Sequence, residues 1–170
     1  MDHIRQLVRD IPDFPKAGIL FKDITPVLSN AAAFNDVVQA MADLGRGHIT
    51  HVVGIESRGF IFGTPVAQIL GLPFVPVRKP GKLPAETARV EYALEYGTDA
   101  LEIHADALGA GDRVMIVDDL LATGGTANAA CQLCEGLGAE VVSLTVLIEL
   151  SFLEGAKRLE PRKVNSLLTY

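Results

Sequence analysis

Apolar positions along this chain follow two periods, and the switches between them mark its elements. In AAAFNDVVQAMADLG, residues 31–45, Phe34, Val37, Val38 and Met41 recur at three- and four-residue spacing. That predicts a helix stopped at Gly45. DHIRQLVRD predicts a shorter amphipathic helix, RGFIFGTPVAQILG one with Gly71 just past its end, and GGTANAACQLCEGLG another. Between them lie apolar, β-branched runs: ITHVVGI (49–55), PFVPV (73–77), RVMIVD (113–118) and EVVSLTVLIEL. These are nearly continuous in apolar residues, as buried parallel strands are, where a strand with one wet face would alternate. Strand and helix in alternation predict an α/β fold, a central, mostly parallel sheet flanked by helices.

Two stretches depart from the pattern. Residues 11–30 hold Pro12, Pro15 and Pro26 and predict an ordered but irregular segment. Residues 78–112 begin with the basic RKPGKLP and then alternate polar and apolar through ARVEYALEYGTDALEIH. YGTD reads as a turn between two strands, so about 79–105 form a hairpin flap.

Composition narrows the classes. A chain of 170 residues with 49% hydrophobic and 21% charged residues suits one globular domain. No apolar run is long enough to span a membrane, and MDHIRQLVRD lacks the apolar core of a secretion signal, so a cytoplasmic protein is expected. The net charge of −6 argues against nucleic acid as a partner, while leaving room for a small anionic ligand held by a local cluster. Cys131 and Cys134 form a C-x-x-C pair without a second pair or a nearby His, so they read as small core-facing residues, not a zinc site.

The chemistry concentrates in VMIVDDLLATGGT, residues 114–126. A buried strand ends on Asp118 and Asp119, and a small, hydroxyl-rich loop follows. Gly124 and Gly125 permit a tight turn and close approach to a ligand. The amides of 122–126 fall at a helix start, where free N–H groups and the helix dipole favour a phosphate. Ala122, Thr123, Gly124, Gly125 and Thr126 thus offer donors, and the acid pair offers acceptors for neighbouring hydroxyls or a hydrated metal ion. A pentose phosphate has both features. The patterns G-x-x-x-x-G-K-[ST] and G-x-G-x-x-G are absent, which disfavours an ordinary nucleoside triphosphatase or dinucleotide fold. A second loop, Glu56-Ser57-Arg58-Gly59, follows another strand and suits a further phosphate. Arg78, Lys79 and Lys82 place three cations in a short Pro/Gly-rich stretch of an acidic chain.

The 114–126 stretch resembles the phosphoribosyl-pyrophosphate motif of the type I phosphoribosyltransferases. The likeness continues through FPKAGILFKDITPVL (14–28), GIESRGFIFG (54–63), VRKPGKLP (77–84) and LEYGTDALEIH (94–104), in order along nearly the whole chain. It is nearest to the family members that act on adenine. The resemblance implies that family's fold, with a flexible hairpin flap and an N-terminal hood segment. It implies purine salvage: transfer of the phosphoribosyl group from phosphoribosyl pyrophosphate to adenine, giving AMP and pyrophosphate, with Mg²⁺ carried by the substrate's phosphates. A homodimer is expected for the same reason.

The resemblance also implies residue roles. Asp118 and Asp119 would hold the ribose, and 122–126 its phosphate. Glu56, Ser57, Arg58 and Gly59 would form the pyrophosphate loop, with Arg78, Lys79 and Lys82 closing over it. Leu20 and Lys22 would read the adenine edge through their backbones, with Phe21 and Leu120 sandwiching the ring. Glu95 would manage a proton on the purine. Three other readings stay open from the residues: a 6-oxopurine transferase, a sugar-phosphate-sensing regulator on the same fold, and a receiver-type phospho-acceptor.

Overall fold

The structure, a computed structural model, describes residues 1–93 and 97–170. In chain order the elements are α1 (Asp2–Leu7), β1 (Arg9–Pro12), β2 (Leu20–Asp23), α2 (Thr25–Leu28), α3 (Ala31–Gly45), β3 (His51–Ile55) and α4 (Arg58–Leu70). There follow β4 (Phe74–Val77), β5 (Thr87–Ala93), β6 (Thr98–His104), β7 (Arg113–Leu121), α5 (Gly125–Gly136), β8 (Glu140–Glu149) and β9 (Lys163–Thr169). Five strands form one sheet in the order β4-β3-β7-β8-β9, every pair parallel. The expected α/β architecture is therefore present, with helices on both faces.

The strands show why they are buried on two sides. Val53, Ile55, Val114 and Ile116 join a core with Ala127, Ala130, Cys131 and Cys134 of α5, and with Leu101 and Ile103 of β6. The intervening Val52, Met115 and Val117 join the opposite core with Val37, Val38 and Met41 of α3 and Phe62 and Val66 of α4. Successive side chains of a strand alternate faces, so each strand feeds both cores. Helix α3 starts as its sequence requires: the Asn30 side chain accepts from the Ala33 N–H at 3.1 Å, a cap of about 1 kcal/mol. Helix α4 ends at Gly71 in the left-handed region, φ 65°.

Three expectations change. Residues 11–30 are more regular than their prolines suggest: β1 and β2 pair antiparallel, with Ile11 opposite Phe21. Pro12 closes an edge strand and Pro26 opens α2, both places where the missing N–H costs nothing. Strand β7 does not stop at Asp118 but runs to Leu121, because β8 keeps pairing with it through Leu120↔Ile148 and Leu121↔Glu149. Strand β9 has no counterpart in the sequence reading. Its polar residues are served by its neighbour: Asn165 donates to Thr145 Oγ1 at 3.3 Å and Ser166 donates to Glu149 at 2.6 Å. The flap is the antiparallel pair β5–β6, joined to Arg78 by a bridge with Glu102.

Candidate active site

Chain direction creates the site. From β3 the chain crosses through α4 to β4 on one side; from β7 it crosses through α5 to β8 on the other. The seam between β3 and β7 is the switch point, where the loops after two adjacent strands part and leave a crevice. Pairing of β7 with β3 ends at Val117, while pairing with β8 continues. Asp118 and Asp119 sit where one neighbour has left, on a backbone still held by the other.

A cavity of about 390 Å³ opens there, lined by Glu56, Ser57, Arg58, Asp118–Ala127 and, at its floor, Leu144 and Val146. It gathers the acid pair, Leu120, the whole 122–126 loop and three of the four residues of the 56–59 loop. The fourth, Gly59, lies buried beneath it. A Cβ on Gly59 would come 2.6 Å from the Val117 carbonyl oxygen and 3.1 Å from Asp118 Oδ1, so glycine lets the start of α4 close on the end of β7. The peptide between Glu56 and Ser57 is cis.

The electrostatics are set by burial. Arg58 Nε lies 2.8 Å from Asp119 Oδ2, and Asp118 Oδ1 accepts from the Asp119 N–H at 2.9 Å. Burial, then the neighbouring Asp119 charge, pushes the Asp118 carboxyl well above the usual carboxylate value. Burial raises Asp119 as well, against the pull of Arg58. Such an adjacent pair holds one proton more readily than two isolated acids, and is eased by any cationic or hydroxyl-bearing ligand.

The 122–126 loop is formed by a turn at Gly124, φ 80°, directly before α5. The first amides of α5 have no helical partner and point their dipoles toward the cavity. Thr126 Oγ1 donates to the Tyr92 hydroxyl of β5 at 3.3 Å.

The other expected residues lie around the cavity without lining it. Arg78 Nε lies 2.7 Å from Glu56 Oε2, joining the basic loop to the 56–59 loop. Lys79 is paired with Asp99 of β6, next to the Tyr92 hydroxyl. Burial pulls the Lys79 ammonium down, yet its bonds to Asp99 and Tyr92 leave it raised, and Asp99 is correspondingly lowered. Lys82 is exposed, and its carbonyl accepts from Arg78 at 3.2 Å. Phe21 faces Arg58, the guanidinium 5.7 Å from the ring centroid, and Phe14 meets Phe21 edge-on at 5.1 Å. Leu20 is exposed; the Lys22 ammonium is tied to Asp10 at 2.6 Å and stands 4.0 Å from the Tyr170 ring centroid. Glu95 lies outside the described residues. Tyr92 and Asp99 were missed in the sequence because only the hairpin register carries them to Lys79 and Thr126.

Cys131 and Cys134 are buried in α5, as read from the sequence, and burial lifts their thiols to about 11 and about 12. Among the described residues no group of three or more His, Cys, Asp and Glu is placed to hold a metal.

A doubly wound sheet with an acid pair and a glycine-rich helix-start loop at its switch point is a frame that suits a sugar-phosphate-using transferase. Residues 25–168 match the Phosphoribosyl transferase domain, and the chain belongs to that family, with the type I fold. Within it, the chain falls among the adenine phosphoribosyltransferases. That enzyme from Anaeromyxobacter dehalogenans strain 2CP-1 is 58% identical, covering 100% of this chain and 99% of the relative. The solved enzyme from Thermoanaerobacter pseudethanolicus is 55% identical with a TM-score of 0.96, covering 99% of each chain. The enzyme from Saccharomyces cerevisiae, solved with adenine and an imino-altritol bisphosphate, is 41% identical with a TM-score of 0.93, covering 98% of this chain and 97% of that one.

Proposed function

We propose that this protein transfers the phosphoribosyl group of phosphoribosyl pyrophosphate to adenine, releasing AMP and pyrophosphate. The observation that carries the reading is the shared cavity: an acid pair, a helix-start phosphate loop and an arginine loop face one another across the β3/β7 seam. The adenine specificity is supported by relatives of that name at 54–58% identity over the full chain.

The ribose diol lies against Asp118 and Asp119, whose carboxylates accept from its hydroxyls. The 5′-phosphate sits on the amides of 122–126 and the hydroxyls of Thr123 and Thr126. Adenine N9 attacks C1 of the ribose, the bond from C1 to the pyrophosphate oxygen breaks with its electron pair, and the purine gives up a proton. Positive charge grows on the sugar as negative charge grows on the leaving group. The buried acids favour the first, and Arg58 with Arg78 the second; fixed charges of this kind are worth several kcal/mol in a water-poor site. Phe21 and Leu120 hold the ring, Leu20 and Lys22 its edge, and Glu95 the purine proton.

The residues fit Mg²⁺ brought in by the substrate. That ion ordinarily takes substrate phosphates and water, with one or two carboxylates at most. It would be carried by the substrate's phosphates, leaving Asp118 and Asp119 to the ribose hydroxyls, and it would add positive charge beside the pyrophosphate. The resemblance further supports a homodimer working in the cytoplasm.

The test is a coupled assay with adenine, phosphoribosyl pyrophosphate and Mg²⁺. AMP should form, and hypoxanthine should not replace adenine, because a pocket built for one donor–acceptor pattern leaves buried groups unpaired with the other. Folded protein that makes no AMP overturns the reading; equal use of hypoxanthine overturns its specificity.

A further inference from the structure

We infer that Gly155, in the segment between β8 and β9, is a positioning residue for the phosphate loop. The inference rests on the phosphoribosyl reading of residues 122–126. After β8 the chain turns back over the end of β7, the Leu150 N–H donating to the Leu121 carbonyl at 2.9 Å. It then lies against the phosphate loop so closely that neither backbone tolerates a side chain. A Cβ on Gly155 would stand 2.1 Å from the Ala122 carbonyl oxygen and 3.0 Å from the Gly124 nitrogen. A Cβ on Gly124 would reciprocally stand 2.6 Å from the Gly155 carbonyl oxygen. The atoms in the way are main chain on both sides, so a side chain cannot swing clear of them.

The wall behind the loop is also fixed in place. Leu159 is fully buried next to α5. Just beyond it, Arg162 grips Glu135 of α5 with two bonds, at 2.6 and 2.7 Å, and reaches Asn128 at 3.3 Å. A paired guanidinium and carboxylate of this geometry is among the stronger surface contacts. The segment is thus anchored to the helix whose first turn is the phosphate loop. It carries Arg158 with it, one guanidinium nitrogen 3.6 Å from where a Gly125 Cβ would be. With the wall held by α5 and the loop held by β7, a methyl group at 155 displaces the loop. The Ala122 carbonyl is pushed aside, and the Gly124 amide that follows it leaves the arc of donors that receives the phosphate.

The test is Gly155→Ala beside Gly136→Ala, a glycine of α5 that has nothing within 4 Å of an added Cβ. For Gly155→Ala the KM for phosphoribosyl pyrophosphate should rise at least about tenfold, with the KM for adenine within about twofold of the parent, since displacements near 1 Å cost factors of this size or more. Gly136→Ala should match the parent in both. A merely structural role would instead lower the melting temperature and the active fraction, and so kcat, while leaving both KM values alone; that result overturns the inference. Should Gly155→Ala not fold, wild-type protein decides by amide exchange with ribose 5-phosphate. Slowed exchange in both 122–126 and 150–158 supports the inference, and slowing in 122–126 alone overturns it. Wild-type protein that makes no AMP and gains no protection overturns the phosphoribosyl reading itself, and this inference with it.

Discussion

The guanidinium of Arg58 and the carboxylate of Asp119 meet at 2.8 Å across the seam of the sheet, joining the loop after β3 to the end of β7. Asp119 is 5% exposed there and Arg58 45%, so the acid is committed to the pair while the cation still reaches solvent. One group thus offsets a buried carboxylate and, on the proposed reading, serves the pyrophosphate as well.

Replacing Arg58 with alanine should remove both roles. Loss of a fixed donor to a developing charge costs about 10²–10³ in kcat. Without its cation the Asp119 carboxyl rises further, because Arg58 is the charge that now holds it down. The acid limb of kcat/KM against pH should therefore move to higher pH. A pH profile of Arg58→Ala that merely scales down without moving would show that the pair is structurally present but electrostatically idle.

Asp118→Asn should trade activity for stability. Its carboxyl is raised in the folded protein by burial first and by Asp119 second. A group that binds its proton more tightly when folded adds stability below its unfolded pKa, near the ordinary 3.8, and loses it as pH climbs through the folded value. At pH 7 the charged Asp118 is thus a cost. Asparagine removes it while still accepting from the Asp119 N–H. The melting temperature should rise at pH 7, by about 2–4 °C per kcal/mol recovered, and the gain should shrink as pH falls toward 3.8. AMP formation should fall. A variant equally stable at every pH would contradict the buried-pair account.

Much of this site is legible in the sequence because its parts are contiguous. Asp118 through Thr126 occupy one strand end and one helix start, so local physics alone suggests a phosphate beside a diol. The helical period of Phe34, Val37, Val38 and Met41 likewise fixes α3 to its bounds. What the sequence conceals depends on long-range pairing. Strand β7 outruns its expected end because β8 holds it, and β9 hides because Asn165 and Ser166 break its apolar run while bonding across to β8. Gly155 gives no local signal at all; its meaning comes from the backbone of Ala122 and Gly124, more than thirty residues earlier.

Gly59→Ala should disturb the acid pair from below. The added methyl would meet the Val117 carbonyl oxygen at 2.6 Å, a backbone atom in β7, the central strand of the sheet. Overpacking of this kind costs about 1–3 kcal/mol. Because the next nearest atom is Asp118 Oδ1 at 3.1 Å, the KM for phosphoribosyl pyrophosphate should rise as well. Thermal unfolding and steady-state kinetics together check this; a normal KM in a destabilised variant would confine Gly59 to packing.

Tyr92→Phe tests whether the flap competes with substrate for the phosphate loop. The Thr126 hydroxyl donates to Tyr92 at 3.3 Å, and Tyr92 in turn donates to Asp99 at 3.3 Å. A phosphate that takes the Thr126 hydroxyl must first break that bond, a net contribution of about 0.5–1.5 kcal/mol. Phenylalanine keeps the ring against the start of α5 and removes only the competing oxygen. Binding of ribose 5-phosphate, measured by calorimetry, should tighten by about two- to tenfold. If Tyr92→Phe instead weakens ribose 5-phosphate binding, the hydroxyl is a ligand for the phosphate and the bond to Thr126 serves to aim it.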